Sequence, residues 1–291
     1  MESIAQLKQI TQGEKRAAQS ARYTRMRDVS IYVTWALLHT PITANQVTAI
    51  GIALGLLGVI LVAVPSPSTG VAGCILIWVY ILLDKVDGEV ARYRKTVSLR
   101  GIFLDEMGHL VIQPLLFVAL ALHVYASTGR IEALLIGYVP ALQIGWARVL
   151  VNLPYRIFSK KAVHLPIRDN GQGQALPLQL SHDARAARAR RIERASAPLF
   201  KPLRVLHHFY WVVTLILAAC LLDLLVPAPA MTSWTYLLLL LMAVAQVILF
   251  LRATALAYLS IEADVSRVGD EVRQAFDARA APAQPDGRAA K

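Results

Sequence analysis

Three aspartates, a histidine and the glycines Gly88 and Gly101 lie at helical spacings between residues 84 and 109, in a stretch flanked by two long apolar runs. Asp84, Asp87 and Ala91 stand at i, i+3 and i+7, so a helix continuing from the preceding apolar run places them on one face. Gly88 lies beside them and leaves a gap without a side chain, where a ligand or a backbone can approach closely. Because ionisable side chains are expensive to bury near a bilayer, this stretch is a candidate functional site.

The second half of the stretch repeats this arrangement. Gly101, Asp105 and His109 stand at i, i+4 and i+8, again on one helical face. Two antiparallel helices joined by a loop at residues 93–100 bring three carboxylates and an imidazole to a common spot. Clustered carboxylates repel one another unless a cation lies among them, and Mg²⁺ prefers carboxylate oxygens with substrate phosphates completing its shell. The residues therefore predict a divalent metal site, Mg²⁺ or Mn²⁺, for phosphoryl chemistry.

This stretch resembles the signature of the CDP-alcohol phosphotransferase (CDP-alcohol phosphatidyltransferase) family, D-x-x-D-G-x-x-A-R, eight residues, then G-x-x-x-D-x-x-x-D. Seven of the eight fixed positions match in identity and spacing, namely Asp84, Asp87, Gly88, Ala91, Arg92, Gly101 and Asp105. The eighth position departs from the pattern, because His109 stands where the family has its last Asp.

The resemblance implies a six-helix integral membrane enzyme that transfers a phosphatidyl or phospho-alcohol group from a CDP-linked donor to an alcohol acceptor. The donor is CDP-diacylglycerol or a CDP-alcohol, CMP is released, and the pathway is phospholipid or phospho-glycan precursor synthesis. By the same resemblance the enzyme is a homodimer, and Asp84, Asp87 and Asp105 hold metal against the CDP pyrophosphate. The residues expected beside the nucleotide are Gly88, Ala91, Arg92, Gly101 and Asn45.

Asn45 belongs to a second, shorter resemblance, the segment P-I-T-A-N-Q-V-T at the entry to the first membrane helix. A ligand-binding role for Asn45 and a plain helix cap formed by Thr43 or Asn45 are both compatible with this segment.

His109 falls on the position that the resemblance assigns to the base acting on the acceptor hydroxyl. A neutral imidazole accepts protons readily at physiological pH, but it binds Mg²⁺ less well than a carboxylate does. His109 and Asp105 are therefore the predicted catalytic residues. A catalytically inactive family member that binds nucleotide or metal as a partner subunit stays open, as does a hydrolase that uses water. A transporter is disfavoured, because its acidic residues normally lie in the middle of a helix.

Composition favours a polytopic all-α membrane protein. The chain has 291 residues, of which 56% are hydrophobic, and a formal net charge of +11; soluble domains are typically about 45–50% apolar. The basic excess lies in loops and tails that we expect to contact membrane lipid, so it does not indicate nucleic-acid binding. The two cysteines lie in separate apolar runs and suggest no disulfide framework.

The predicted domains are a basic arm at 1–43, a six-helix catalytic domain at 44–259 and a charged, partly disordered tail at 260–291. The arm includes an interfacial amphipathic helix at 29–39, and residues 152–208 form a basic loop of the catalytic domain. The predicted spans are 46–64, 71–92, 102–126, 131–151, 209–226 and 234–259.

An inward-facing N-terminus places nearly all loop arginines and lysines on one side of the membrane. The positive-inside rule makes that side cytoplasmic. The arm, the predicted loop between the two halves of the motif, the basic loop and the tail all lie on this side. We therefore expect the protein in the inner (cytoplasmic) membrane, with the 84–109 cluster facing the cytoplasm.

Overall fold

The computed structural model describes residues 3–18, 21–163, 184–200, 203, 206, 208–226 and 233–280. Within these ranges the chain forms nine α-helices and no strand, which confirms the all-α prediction. The helices are α1 (Ile4–Ala18), α2 (Ala21–Leu38), α3 (Ala44–Ala63), α4 (Pro67–Tyr93), α5 (Leu99–Thr128), α6 (Glu132–Val163), α7 (Ala184–Phe200), α8 (Phe209–Leu225) and α9 (Trp234–Ala280).

Five of these helices contain segments long and apolar enough to cross a membrane, and a sixth is shorter. The five segments are Ala44–Ala63, Pro67–Tyr93, Leu99–Thr128, Glu132–Lys160 and Trp234–Val272. The sixth, α8, has 17 residues, which is at the lower end of the lengths that span a hydrocarbon core. The protein is thus a polytopic membrane protein with its spans where the apolar runs predict them.

Several helix ends follow local capping rules. Thr43 caps α3 in a capping box with Gln46, because its side chain accepts from the Gln46 backbone N–H while the Gln46 side chain accepts from the Thr43 backbone N–H. Asn45 is therefore not the cap. Ser98 caps α5 by accepting from the backbone N–H of Gly101. Gly129 ends α5 in the left-handed conformation, with φ 72°, that glycine adopts without strain.

The chain divides into two compact units, which are described separately. The first comprises Met1–Gly145 and Leu203–Val247. Its main apolar core is formed by side chains of α3, α4, α5, α8 and the first parts of α6 and α9. Both cysteines are free and lie buried in this core.

Glycines bring α3 and α4 into backbone contact inside this first unit. A Cβ on Gly58 would lie 2.7 Å from the carbonyl oxygen of Gly73, and a Cβ on Gly73 would lie 2.5 Å from that of Gly58. Real Cβ atoms do not approach backbone oxygen so closely. Small residues at such crossings let membrane helices pack without intervening side chains, and here the crossing sets the separation between α3 and the motif helix α4.

The basic arm predicted at 1–43 packs partly into the protein. Residues 1–28 contain α1 and the start of α2, and among the described side chains of α1 those of Leu7, Thr11 and Gln12 are buried. The helix predicted at 29–39 is the second half of α2, with Tyr32 and Trp35 exposed as an interfacial helix requires.

The second unit comprises Trp146–Pro202 and Ile248–Lys291. In it, the Arg252 guanidinium lies over the Phe200 ring at 4.8 Å, and its Nε and Nη2 donate to Ser196 Oγ at 3.3 Å. The Arg252 side chain thus packs against α7. The tail predicted from residue 260 is helical as far as Ala280, and residues 281–291 lie outside the described part of the chain.

Candidate active site

The two halves of the motif lie on consecutive helices, the end of α4 and the start of α5, as the spacing predicts. Arg94, in the turn between them, holds the preceding segment of the chain in place. Its Nη1 donates to the carbonyl oxygen of Ile42 at 2.6 Å, and its Nη2 donates to that of Thr40 at 2.7 Å. This arginine therefore fixes the entry of α3 against the motif, a role that no sequence pattern indicates.

Asp84, Asp105 and His109 form a cluster between α4 and α5. His109 Nε2 lies 3.1 Å from Asp84 Oδ1 and 3.5 Å from Asp105 Oδ1. The Asp84 side chain is only 7% exposed, His109 23% and Asp105 45%, so the cluster is closed on the Asp84 side and open on the Asp105 side. The predicted convergence of carboxylates and imidazole is present.

Asp87 lies beside this cluster and is held by α3. Thr48 Oγ1 donates to Asp87 Oδ2 at 2.6 Å, and both residues are buried. The three aspartates line one small cavity, together with Thr48, Gly51, Ile52, Tyr80 and Gly108. Sequence reasoning did not single out Thr48. The available signal was its spacing, because Thr48 follows Ala44 by four residues and therefore lies on the same, buried face of α3.

The opposite ring nitrogen of His109 faces two polar groups. Nδ1 lies 3.3 Å from Tyr80 Oη and 3.3 Å from Gln113 Nε2. Nδ1 therefore contacts a phenol and an amide group, while Nε2 faces the two carboxylates. Lys85 Nζ pairs with the other oxygen of Asp84. Sequence reasoning missed Tyr80, Lys85 and Gln113, although Gln113 follows His109 by one helical turn.

A sequence model of the family described as CDP-alcohol phosphatidyltransferase matches residues 41–275, which is most of the chain. The chain belongs to this family. Among curated proteins, none matches the sequence. Membership supports a membrane phosphotransferase, that is, an enzyme that transfers phosphate-containing groups, working with a CDP-alcohol donor, an alcohol acceptor and a lipid environment.

The remaining motif residues of this CDP-alcohol phosphatidyltransferase family member have distinct surroundings. The Arg92 guanidinium covers Gly88, since a Cβ there would lie 3.1 Å from Arg92 Nη1. Ala91 packs against the apolar cluster formed by Ala44, Val47, Val86 and Val90. The gap beside Asp84 that the sequence predicts for a ligand is therefore filled by an arginine.

Gly101 and Asn45 meet where the first turns of α5 and α3 approach each other. A Cβ on Gly101 would lie 2.9 Å from Asn45 Oδ1, so a larger residue at this position would displace the asparagine side chain. Glu106, the neighbour of Asp105, is exposed and does not belong to the group of side chains that could hold a cation.

The donor set suits a divalent cation. One oxygen from each of Asp84 and Asp105 and one nitrogen of His109 lie within 4.8 Å of one another. Two ligands of one Mg²⁺ are at most about 4.2 Å apart at bond lengths near 2.1 Å, so small side-chain rotations suffice. An imidazole beside two carboxylates shifts the preference towards Mn²⁺, because imidazole nitrogen is a softer ligand than oxygen.

Proposed function

We propose that this protein is a metal-dependent CDP-alcohol phosphotransferase, which moves a phosphatidyl or phospho-alcohol group from a CDP-linked donor to an alcohol and releases CMP. The observation that carries the proposal is the convergence of Asp84, Asp87, Asp105 and His109 on one site between α4 and α5. Family membership supports the reaction class, and the loop charges support a site that faces the cytoplasm.

Asp84, Asp105 and His109 would hold the cation, with Asp87 beside them. When bound, a divalent cation neutralises charge that develops on the phosphoryl oxygens and eases the departure of CMP. Thr48 orients the Asp87 carboxylate through its short hydrogen bond. The guanidinium of Arg92 is the group in the motif whose planar set of donors matches a phosphate of the donor.

In the reaction, the acceptor hydroxyl oxygen forms a bond to the phosphorus that carries the alcohol, and the bond from that phosphorus to CMP breaks. The hydroxyl proton must be taken up, and His109 and Asp105 are the two groups in the open part of the cluster that can take it. His109 Nε2 cannot bind the cation and take up the proton at the same time, because both roles use the lone pair of this nitrogen.

The side chains of Asp105 and His109 are more exposed to solvent than that of Asp84. Asp105 and His109 are therefore the groups that would contact the acceptor. The acceptor is an alcohol, and the donor is CDP-diacylglycerol or a soluble CDP-alcohol. A role in phospholipid or phospho-glycan precursor synthesis, a homodimeric assembly and residence in the inner membrane are expectations that follow from the family resemblance and the charge distribution.

The test is CMP release by the purified protein in lipid nanodiscs, with Mg²⁺ or Mn²⁺, across CDP-linked donors and alcohols. Asp105→Asn and His109→Ala are expected to abolish release. Glu106→Gln, which neutralises the exposed carboxylate next to Asp105, serves as the matched control and is expected to retain it.

Four outcomes contradict parts of this proposal. CMP release without any acceptor indicates a hydrolase. Retained cation-dependent CDP binding without turnover indicates an inactive partner subunit, and activity that appears only in His109→Asp identifies the natural protein as a disabled family member. Equal activity in wild type and His109→Ala removes His109 from the mechanism.

A further inference from the structure

The motif helix α4 carries a buried carboxylate that the proposed mechanism does not use. Glu89 is fully buried. Its Oε1 accepts from Ser30 Oγ at 2.6 Å and from Gln12 Nε2 at 2.9 Å, and its Oε2 accepts from Thr34 Oγ1 at 2.6 Å. Burying a carboxylate is costly unless hydrogen bonds compensate for lost water. Here the compensating donors come from α1 and α2, far away in the sequence.

A second bond joins α1 to the motif. Arg92 Nε donates to the backbone carbonyl oxygen of Thr11 at 2.7 Å. Gln12, the next residue of α1, reaches Glu89 and also donates to the carbonyl oxygen of Arg27 at 2.8 Å. Thr11 and Gln12 are both buried. Two adjacent residues of α1 therefore contact Glu89 and Arg92, the motif residues that flank Val90 and Ala91.

These contacts determine where the Arg92 guanidinium lies. The guanidinium rests against Gly88, so that a Cβ there would be 3.1 Å from Nη1 and 3.6 Å from Nη2. A free arginine side chain has about 2 kcal/mol of rotamer entropy to lose when it is ordered. The bond to Thr11 imposes that order before the substrate arrives, and preorganisation of this kind raises affinity.

We propose that Gln12 is a positioning residue of the site. By docking α1 on Glu89, it presents the Thr11 carbonyl oxygen to Arg92 and so sets the guanidinium that receives a phosphate of the CDP-linked donor. This inference rests on the proposed function, because it needs Arg92 to meet a nucleotide. By this inference the N-terminal arm is part of the nucleotide site, in addition to the contact with membrane lipid that its basic residues suggest.

Gln12→Ala and Gln9→Ala test this inference as a matched pair. Both residues are glutamines of α1, but Gln9 is exposed and Gln12 is buried. We expect Gln12→Ala to weaken CDP binding, measured calorimetrically in nanodiscs with Mn²⁺, by about tenfold, since hydrogen bonds to charged groups have effects of this order. In a turnover assay, KM for the donor rises by a similar factor while kcat changes little. Gln9→Ala changes neither.

A second variant pair separates positioning from loss of folding. Gln12→Glu places a carboxylate beside Glu89, and Glu89→Gln in the same chain restores the donor–acceptor pair between positions 12 and 89, while the bond from position 12 to the Arg27 carbonyl oxygen stays lost. We expect the double variant to recover part of the CDP affinity that Gln12→Glu loses. No recovery, together with a lowered melting temperature in Gln12→Ala, assigns Gln12 to folding alone and overturns the inference.

The binding and turnover measurements distinguish failure of this inference from failure of the proposed function. Wild type that binds CDP but releases no CMP contradicts the proposed reaction, and the Gln12→Ala dissociation constant still decides the inference. Unchanged CDP affinity in Gln12→Ala overturns the inference while the reaction stands. Wild type that binds no CDP overturns both.

Discussion

His109 stands where the family motif has an aspartate. Replacing it by aspartate or by asparagine separates the effect of charge at this position from the effect of side-chain size. Nε2 of His109 lies 3.1 Å from Asp84 Oδ1 and 3.5 Å from Asp105 Oδ1, so a carboxylate at position 109 adds a negative charge within about 4–5 Å of two others. Like charges about 4 Å apart repel by about 4 kcal/mol at an effective dielectric constant near 20. A bound cation relieves this repulsion.

We therefore expect His109→Asp to bind Mg²⁺ more tightly than His109→Asn. The exposure of Asp105 reduces the repulsion, because solvent screens that pair more than the pair with Asp84. A net difference of about 1.5–4 kcal/mol corresponds to roughly ten- to a thousandfold in the dissociation constant. Without metal, His109→Asp should unfold at a lower temperature than His109→Asn, and saturating Mg²⁺ should reverse that order.

The assay is calorimetric Mg²⁺ titration of both variants and wild type in nanodiscs, with melting temperatures recorded in EDTA and in Mg²⁺. Asparagine has the size of aspartate without its charge, so it controls for loss of the imidazole. Equal Mg²⁺ affinities in the two variants would refute the reasoning, because position 109 would then not face the cation.

Two further predictions concern α3. Thr48→Val removes the hydroxyl that donates to the buried Asp87. We expect about a ten- to hundredfold loss of turnover, measured as CMP release, because a hydrogen bond to a charged group contributes about 1.5–3 kcal/mol. Full activity would show that Asp87 does not need this hydrogen bond for its orientation. Gly58→Ala drives a methyl against the Gly73 carbonyl oxygen, and we expect about 1–3 kcal/mol lower stability from overpacking. Gly145→Ala is its control, because a Cβ there would meet no atom within 4 Å apart from its chain neighbours and its own helix backbone; equal melting temperatures of the two variants would contradict this packing.

Helical periodicity is sufficient to predict the cluster from the sequence. The spacings of Asp84 and Asp87 on one helix and of Asp105 and His109 on the next are local properties, because 3.6 residues complete each turn whatever the helix packs against. The apolar runs likewise predict the membrane helices, and only their ends differ. The predicted end at residue 259 is wrong because the polar sequence beyond it continues the α9 helix to Ala280.

Helix packing decides the features that helical periodicity alone does not predict. The sequence predicts an open gap at Gly88, but the long side chain one turn later, Arg92, folds back over it. Ala91 shares a helical face with Asp84, yet it lies two turns further on, where α2 and α3 cover α4 with apolar side chains. Which residues share a helical face follows from the local sequence, whereas the side chains that cover this face come from other helices.

The sequence by itself determined the membrane class, the family and the four side chains that converge on the candidate site, since each follows from composition or from spacing within one helix. Only the tertiary structure decided that Thr48 holds Asp87 and that Gln12 reaches Glu89, because these partners are 39 and 77 positions apart along the chain. Buried carboxylates need donors wherever the fold provides them, and no local pattern specifies which distant residue will be the donor.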